Sequence, residues 1–249
     1  MRWHQWFIIK IEAIAMLKAA FRHKPRDYNT LVTNATIILL ISPGQEYHEG
    51  EKFKATVELL NRSGFAKCHV MVGDTNYRHT LQIEHKSPND CYWRAKIMGQ
   101  HWVARNSNIL QQLAIPYEIF HWDRWLCHPR YNDYKQQVDN LFDNEPSFRE
   151  AFLFSANKFV RRFCNADIDI HFAIQQSLEY LKEECAVIMP LWAELGYQHI
   201  VYPGNMLKAM ETTYQQTVLP MKRLIYWYPL RFKRLVEAED SVCNYKQVA

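Results

Sequence analysis

The chain has 249 residues, 48% of them hydrophobic and 22% charged, which is enough apolar material for a full core and too little charge bias for a disordered chain. A formal net charge of +4 permits an anionic partner without demanding one, so a nucleic-acid reading has to come from where the charges lie. The six cysteines are widely spaced with no CxxC, which argues against a disulfide framework and for a reducing, cytoplasmic setting.

The N-terminal stretch "MRWHQWFIIKIEAIAMLKAAFRHK" is apolar but is interrupted by Lys10, Glu12 and Lys18. No segment approaches the ~18 uncharged residues of a membrane span. Residues 1–25 are expected to form an amphipathic helix packed on the domain. Three short apolar runs follow: "TIILLIS" (36–42), "KCHVMVG" (67–73) and "IPYEIFHW" (115–122). They are β-branched-rich and too short for buried helices, and helical segments over about 50–62 and 90–113 separate them. Strand–helix–strand–helix–strand predicts a parallel α/β sheet, and unbroken rather than alternating hydrophobicity fits strands covered on both faces.

The second half opens on helices. Pro146 suits the first turn of "PSFREAFLFSANKFVRRFC". Asp167 or Asp169 is placed to cap a helix running to about 188, with Ile174, Leu178, Leu181, Cys185 and Ile188 as its apolar stripe. "YQHIVYPG" (197–204) reads as a late strand, followed by a helix over about 205–216. The basic, aromatic segment "MKRLIYWYPLRFKRLVEAED" yields no assignment. With no repeat or linker, the whole of 1–249 is expected to be one α/β domain.

In an open parallel sheet, ligands bind beyond the carboxyl ends of the strands. Ser42 ends the first strand in "LLISPGQEY", and Tyr202 ends the late one. If those strands are neighbours, both side chains open onto one crevice. Tyr180 and Glu184 are four apart on a helix and project from one face beside its apolar stripe.

Four features occur in order: the serine of "LLISPGQEY", the "GDT" after the second strand, the Tyr-x-x-x-Glu of "LEYLKEEC", and the Tyr-Pro of "HIVYPG". As an ordered set, spanning about residues 30–215, they resemble the cyclodipeptide synthases. The resemblance implies a Rossmann-like sheet flanked by helices, similar to the catalytic domain of class I tyrosyl- and tryptophanyl-tRNA synthetases. It implies an aminoacyltransferase, a monomer, that takes two aminoacyl-tRNAs and releases a 2,5-diketopiperazine through serine-bound aminoacyl and dipeptidyl esters. Ser42 is then the nucleophile, Tyr180 and Glu184 hold the first ammonium, and Tyr202 lies beside the reacting centre. Asp74 of "GDT", Gln45 and Pro203 join Leu40 and Gly44 around the substrate. Gln45 with Tyr202-Pro203 matches the branch with Tyr-Pro on the late strand. Leu40, two residues before Ser42 and so on the same side of the strand, is expected to narrow the pocket for the first side chain toward small or short aliphatic ones.

An aminoacyl-tRNA ester is already activated, so neither ATP, a metal nor another cofactor is expected. Backbone N–H groups of the turn after Ser42, with Gly44 allowing close approach, are the expected oxyanion donors. Arg94, His101 and Arg105 recur on one face of the 90–113 helix with Lys96 at its edge, a basic stripe suited to tRNA. Lys158, Arg161 and Arg162 form a second cluster. Two alternatives remain: a non-catalytic aminoacyl-tRNA-binding protein, and a serine esterase, for which "LISPG" matches half of Gly-x-Ser-x-Gly. Motifs for amino-acid activation, resembling His-Ile-Gly-His or Lys-Met-Ser-Lys-Ser, are missing.

Overall fold

The computed structural model describes residues 16–84, 87–163 and 168–235. Its first half contains β1 (Met16–Phe21), α1 (Tyr28–Val32), β2 (Thr36–Ile41), α2 (Gly50–Asn61) and β3 (Lys67–Val72). Then come α3 (Arg78–Gln82), α4 (Pro88–Leu110), β4 (Tyr117–His121) and the short α5 (Asp123–Leu126). Helices α6 (Tyr131–Asn144), α7 (Pro146–Phe163) and α8 (Ile170–Ala186) follow in succession. The chain closes with α9 (Trp192–Glu194), β5 (His199–Tyr202), α10 (Lys208–Thr213) and β6 (Tyr226–Leu235).

Local chemistry accounts for several of these boundaries. Ser87 caps α4 by accepting from the Asp90 N–H at 3.2 Å, with Pro88 in the first turn, where its missing N–H costs nothing. Of the two candidate caps for α8, Asp169 accepts from the His171 and Phe172 amides; Asp167 lies outside the described residues. The helix runs on into a π-helical turn (Val187–Leu191) at Pro190, which has no N–H to give to the ladder.

The six strands form one sheet in the order β1-β6-β5-β2-β3-β4. All neighbours are parallel except β1 on β6. One expectation therefore changes, and one segment left open gains a place. Residues 16–21 are a strand rather than part of an N-terminal helix, completing the sheet edge against Leu230–Leu235; residues 1–15 lie outside the described residues. The unassigned basic segment supplies β6, whose apolar Tyr228 and Leu230 are buried while its charged side chains lie at the surface.

Strand β2 sits centrally between β3 and β5, and its side chains alternate between two cores. Ile37, Leu39 and Ile41 join Val70, Val72, Val201, Phe53 and Trp102 on one face. Ile38 and Leu40 join Met71, Ile200, Leu181, Trp125 and Trp192 on the other. By the same alternation Ser42 and Tyr202 continue the second series and face α8. The reversal of strand order between β2 and β5 opens the sheet's carboxyl edge where these two residues stand. Among the described residues no helix is long and apolar enough to cross a membrane.

Candidate active site

The segment after β2 is a tight turn that the sequence specifies directly. Pro43 takes its second position, Gly44 its third at φ +83°, and the Gln45 amide closes it onto the Ser42 carbonyl at 3.2 Å. Proline then glycine in these places is the pattern of a type II turn, and the positive φ suits only glycine comfortably. The turn brings the chain back as a short 3₁₀ segment, Glu46–His48, so that Tyr47 and His48 return to Ser42.

Ser42 Oγ lies 3.2 Å from the Tyr202 hydroxyl, which lies 3.0 Å from the Tyr47 hydroxyl. These three hydroxyls line a cavity of about 590 Å³ together with Leu40, Tyr180 and Glu184. Tyr180 donates to Glu184 Oε1 at 3.2 Å, one helical turn along α8. The structure thus brings Ser42, Tyr180, Glu184 and Tyr202 into one cavity, with Gln45 on its wall; Gly44 and Pro203 are not among its lining residues.

Electrostatics separate the roles available to these groups. Burial pushes the Glu184 carboxyl up to about 8, the Tyr180 hydrogen bond opposing and neighbouring Glu183 reinforcing the rise. A carboxyl raised in this way is drawn toward its ionised form by a cation placed beside it. Burial drives the Tyr180 and Tyr202 phenols well above their ordinary range, and raises Tyr47 as well. Tyr202 consequently acts as a neutral hydrogen-bonding group toward Ser42 and not as a base.

Asp74, expected at the substrate, is buried and paired within the protein. It accepts from the Thr75 amide at 2.8 Å and the Trp122 amide at 3.1 Å, and contacts His121 Nδ1 at 2.6 Å. It fits against α4 only because Gly99 has no side chain: a Cβ there would stand 2.3 Å from Asp74 Oδ2. Asp74 is not among the cavity's lining residues, and "GDT" here builds the wall between β3, β4 and α4. Of the basic stripe, Lys96 is bound to Asp123 at 3.2 Å and Arg105 to Glu49 at 2.8 Å, whereas Arg94 is exposed. Lys158 and Arg162 of the second cluster, with Lys208, line the cavity among Phe154, Phe159 and Leu207.

Two residues were missed in the sequence although they stand in or beside its opening motif. Tyr47 extends the hydroxyl chain, and His48 accepts from the Ser42 backbone N–H through Nδ1 at 2.9 Å. That bond revises the oxyanion expectation. The Ser42 amide is engaged, Pro43 has none and the Gln45 amide closes the turn, leaving Gly44 N–H as the amide of this turn without a partner among the described residues. The signal was present: after a Pro-Gly reversal, residues five and six beyond the serine are the first able to fold back onto it.

No family model matches the chain, and a comparison with curated proteins finds no match. Solved structures do. A cyclodipeptide synthase (CDPS) from Fluoribacter dumoffii is 36% identical over 89% of this chain and 100% of that one, with a TM-score of 0.84. The cyclodipeptide synthase from Candidatus Glomeribacter gigasporarum, solved bound to Phe-tRNAPhe, is 23% identical over 88% of this chain and 97% of that one, with a TM-score of 0.64. A Mycobacterium tuberculosis protein, whose structure relates cyclodipeptide synthetases to type I tRNA synthetases, matches at 13% identity over 93% of this chain and 100% of that one, with a TM-score of 0.63. Near-complete coverage at 36% identity, on a fold that brings the serine after β2, the Tyr–Glu pair of α8 and the tyrosine of β5 into one cavity, places this chain in the cyclodipeptide synthase family.

Proposed function

We propose that this chain joins two aminoacyl groups, delivered as aminoacyl-tRNA esters, into a 2,5-diketopiperazine through esters on Ser42. The observation that carries the reading is the convergence in one cavity of Ser42 Oγ, 3.2 Å from the Tyr202 hydroxyl, with the buried Glu184.

In the first step Ser42 Oγ attacks the ester carbonyl, and the terminal ribose oxygen of the tRNA leaves, taking up the serine proton. No basic side chain bonds Ser42 Oγ among the described residues, and a neutral Tyr202 cannot serve as the base. The proton therefore passes within the substrate, between amine and ribose hydroxyls, with Tyr202 and Tyr47 aligning it. The Gly44 N–H is the turn amide available to the developing oxyanion.

Glu184, with Tyr180, receives the first α-amino group. Burial holds the Glu184 carboxyl above its ordinary range, so its ionised form depends on a cation beside it, which the α-ammonium supplies. A carboxylate stabilised in this way positions the ammonium and can take its proton when the amine is needed as a nucleophile. The freed amine of the serine-bound residue attacks the ester of the second aminoacyl-tRNA, expelling that tRNA and leaving a dipeptidyl ester on Ser42. The new terminal amine then attacks the Ser42 ester carbonyl, which closes the ring and returns the serine hydroxyl. No bond in this sequence needs ATP.

Leu40 on the cavity wall supports a small or short aliphatic first residue, and Gln45 with Tyr202-Pro203 supports the Tyr-Pro branch. Lys158, Arg162 and Lys208 at the cavity and Arg94 on α4 are the cations we assign to tRNA phosphates, in a monomer working in the cytoplasm where charged tRNA is available. An esterase is disfavoured because His48 addresses the Ser42 backbone and not Oγ.

The test is expression in a bacterial host with mass spectrometry of the medium. New cyclic dipeptides that disappear with Ser42→Ala are expected; a product that survives this substitution overturns the covalent route. Robust incorporation of Phe or Tyr as the first residue would reject the Leu40 assignment.

A further inference from the structure

We infer that His48 is a positioning residue for the nucleophile, holding the main chain of Ser42 by accepting its N–H. The inference rests on the reading of Ser42 as nucleophile and concerns how that serine is aimed. Ser42 lies just beyond β2, where ladder hydrogen bonds have ended: β2 pairs with β3 only as far as Ile41↔Val72, and with β5 only as far as Leu39↔Val201. The sheet therefore leaves the serine amide unpaired at the edge of the cavity. His48 Nδ1 supplies the missing acceptor at 2.9 Å.

The imidazole itself is held on several sides. The His48 main-chain carbonyl accepts from Trp102 Nε1 at 2.9 Å, which ties this short segment to α4. The ring stands edge-on to Tyr47 with centroids 4.7 Å apart, and 5.6 Å from the Tyr202 ring. One side chain thus contacts the nucleophile's backbone and both tyrosines of the hydroxyl chain. Nδ1 lies 2.9 Å from the Ser42 amide and 3.3 Å from the Ser42 carbonyl, which already accepts from the Gln45 amide; with Nδ1 accepting from the nearer amide, the neutral ring carries its proton on Nε2. Burial keeps the ring neutral by lowering the imidazole to about 3, against an opposing contact with the Ser42 main chain.

The arrangement is a poor device for stability alone. His48 is 1% exposed, and its Nε2 has no partner among the described residues. A buried N–H without an acceptor destabilises the fold, and an apolar ring of similar size would avoid that cost. What only a ring nitrogen, or an oxygen in its place, provides here is the acceptor for Ser42. Asparagine is the conservative replacement, since its Oδ1 is attached to Cγ as Nδ1 is in histidine.

Three purified variants, His48→Phe, His48→Asn and Ser42→Ala, are compared with the parent protein using total tRNA charged with the full amino-acid mixture. Acyl adducts on the protein are followed by rapid-quench mass spectrometry across tRNA concentrations, with thermal melts in parallel. His48→Phe should lower the maximal rate of adduct formation about a hundredfold, the scale expected for a nucleophile displaced by about 1 Å, at an unchanged half-saturating concentration. His48→Asn should recover at least about tenfold of that loss, whichever variant melts higher. If folded His48→Phe acylates at the parent rate while Ser42→Ala does not, the positioning role is wrong and the nucleophile stands. If His48→Phe fails to fold, His48→Asn decides: a folded but equally inactive Asn variant overturns the acceptor role. Adducts persisting in Ser42→Ala overturn the underlying assignment instead.

Discussion

Two adjacent glutamates on α8 show how differently one helix can use buried carboxylates. Glu183 turns to a closed network: Arg78 grips both its oxygens, one at 2.9 Å, Trp122 Nε1 donates at 2.9 Å, and His79 stands at 3.5 Å. Burial alone would raise its carboxyl, but His79 and Arg78 outweigh that, and it sits below the ordinary range. Glu184, one residue on, has Tyr180 as its neutral partner and rises to about 8. The two are 3% and 8% exposed, so burial does not distinguish them. Satisfaction does: a carboxylate with its cation already in place is structure, and one that lacks a cation is poised to take one from a ligand.

The largest break in this contrast is expected from Glu184→Gln. If Glu184 handles the substrate amine as proposed, its loss should slow acyl-enzyme formation and cyclisation by about 10²–10⁴-fold. Stability should move the other way. A carboxyl whose pKa is raised on folding keeps its proton while the unfolded chain loses it, so the parent protein loses stability as pH rises from the unfolded value near 4.5 to about 8. Glu184→Gln removes that slope, and melts across this window should show the variant gaining on the parent with rising pH. A parallel pair of curves would contradict the assignment.

Arg78→Met should do the reverse, sparing the chemistry of the remaining folded protein but leaving Glu183 buried and unpaired, at about 3–5 kcal/mol of stability. Urea unfolding at neutral pH measures it; a shift within about 0.5 kcal/mol would mean the network is not structural. Tyr202→Phe removes one hydroxyl from the chain between Ser42 and Tyr47, a loss of about 1–1.5 kcal/mol, read as roughly a tenfold slower acylation. The smallest effect belongs to the surface. Arg94→Ala should reduce the slope of log affinity for tRNA against log salt by about 1. Lys96→Ala should change it less, because Asp123 already neutralises that lysine.

The same distinction marks what was legible in the sequence. The strands β2 to β5 were legible because each is a short apolar run bounded by turn residues, and the Tyr–Glu pair because helical spacing fixes its face. Strands β1 and β6 were not, since Lys18, Arg231, Lys233 and Arg234 give an edge ribbon the composition of a surface segment. Helix α6 places Tyr131, Tyr134, Val138 and Leu141 at three- and four-residue steps, but the Asp, Asn and Gln between them give the segment a polar composition, and only Tyr134 and Val138 are buried. Asp74 shows a different limit of the sequence. A carboxylate after a strand looks the same in a sequence whether its partners are a substrate or, as here, the Thr75 and Trp122 amides and His121, contributed from 47 or 48 positions away in two of the three cases. His48 carries a positional signal only, six residues beyond the serine across a Pro-Gly turn, because its partner is the main chain of Ser42.

The central claim is that Ser42 carries the acyl group. Purified protein mixed with charged tRNA, quenched in acid, digested and sequenced by mass spectrometry tests it without any assumption about product. An aminoacyl adduct on the peptide containing Ser42, lost in Ser42→Ala, is the predicted result. A diketopiperazine formed with no adduct on that serine at any time point, or with the acyl group on another residue, would contradict it.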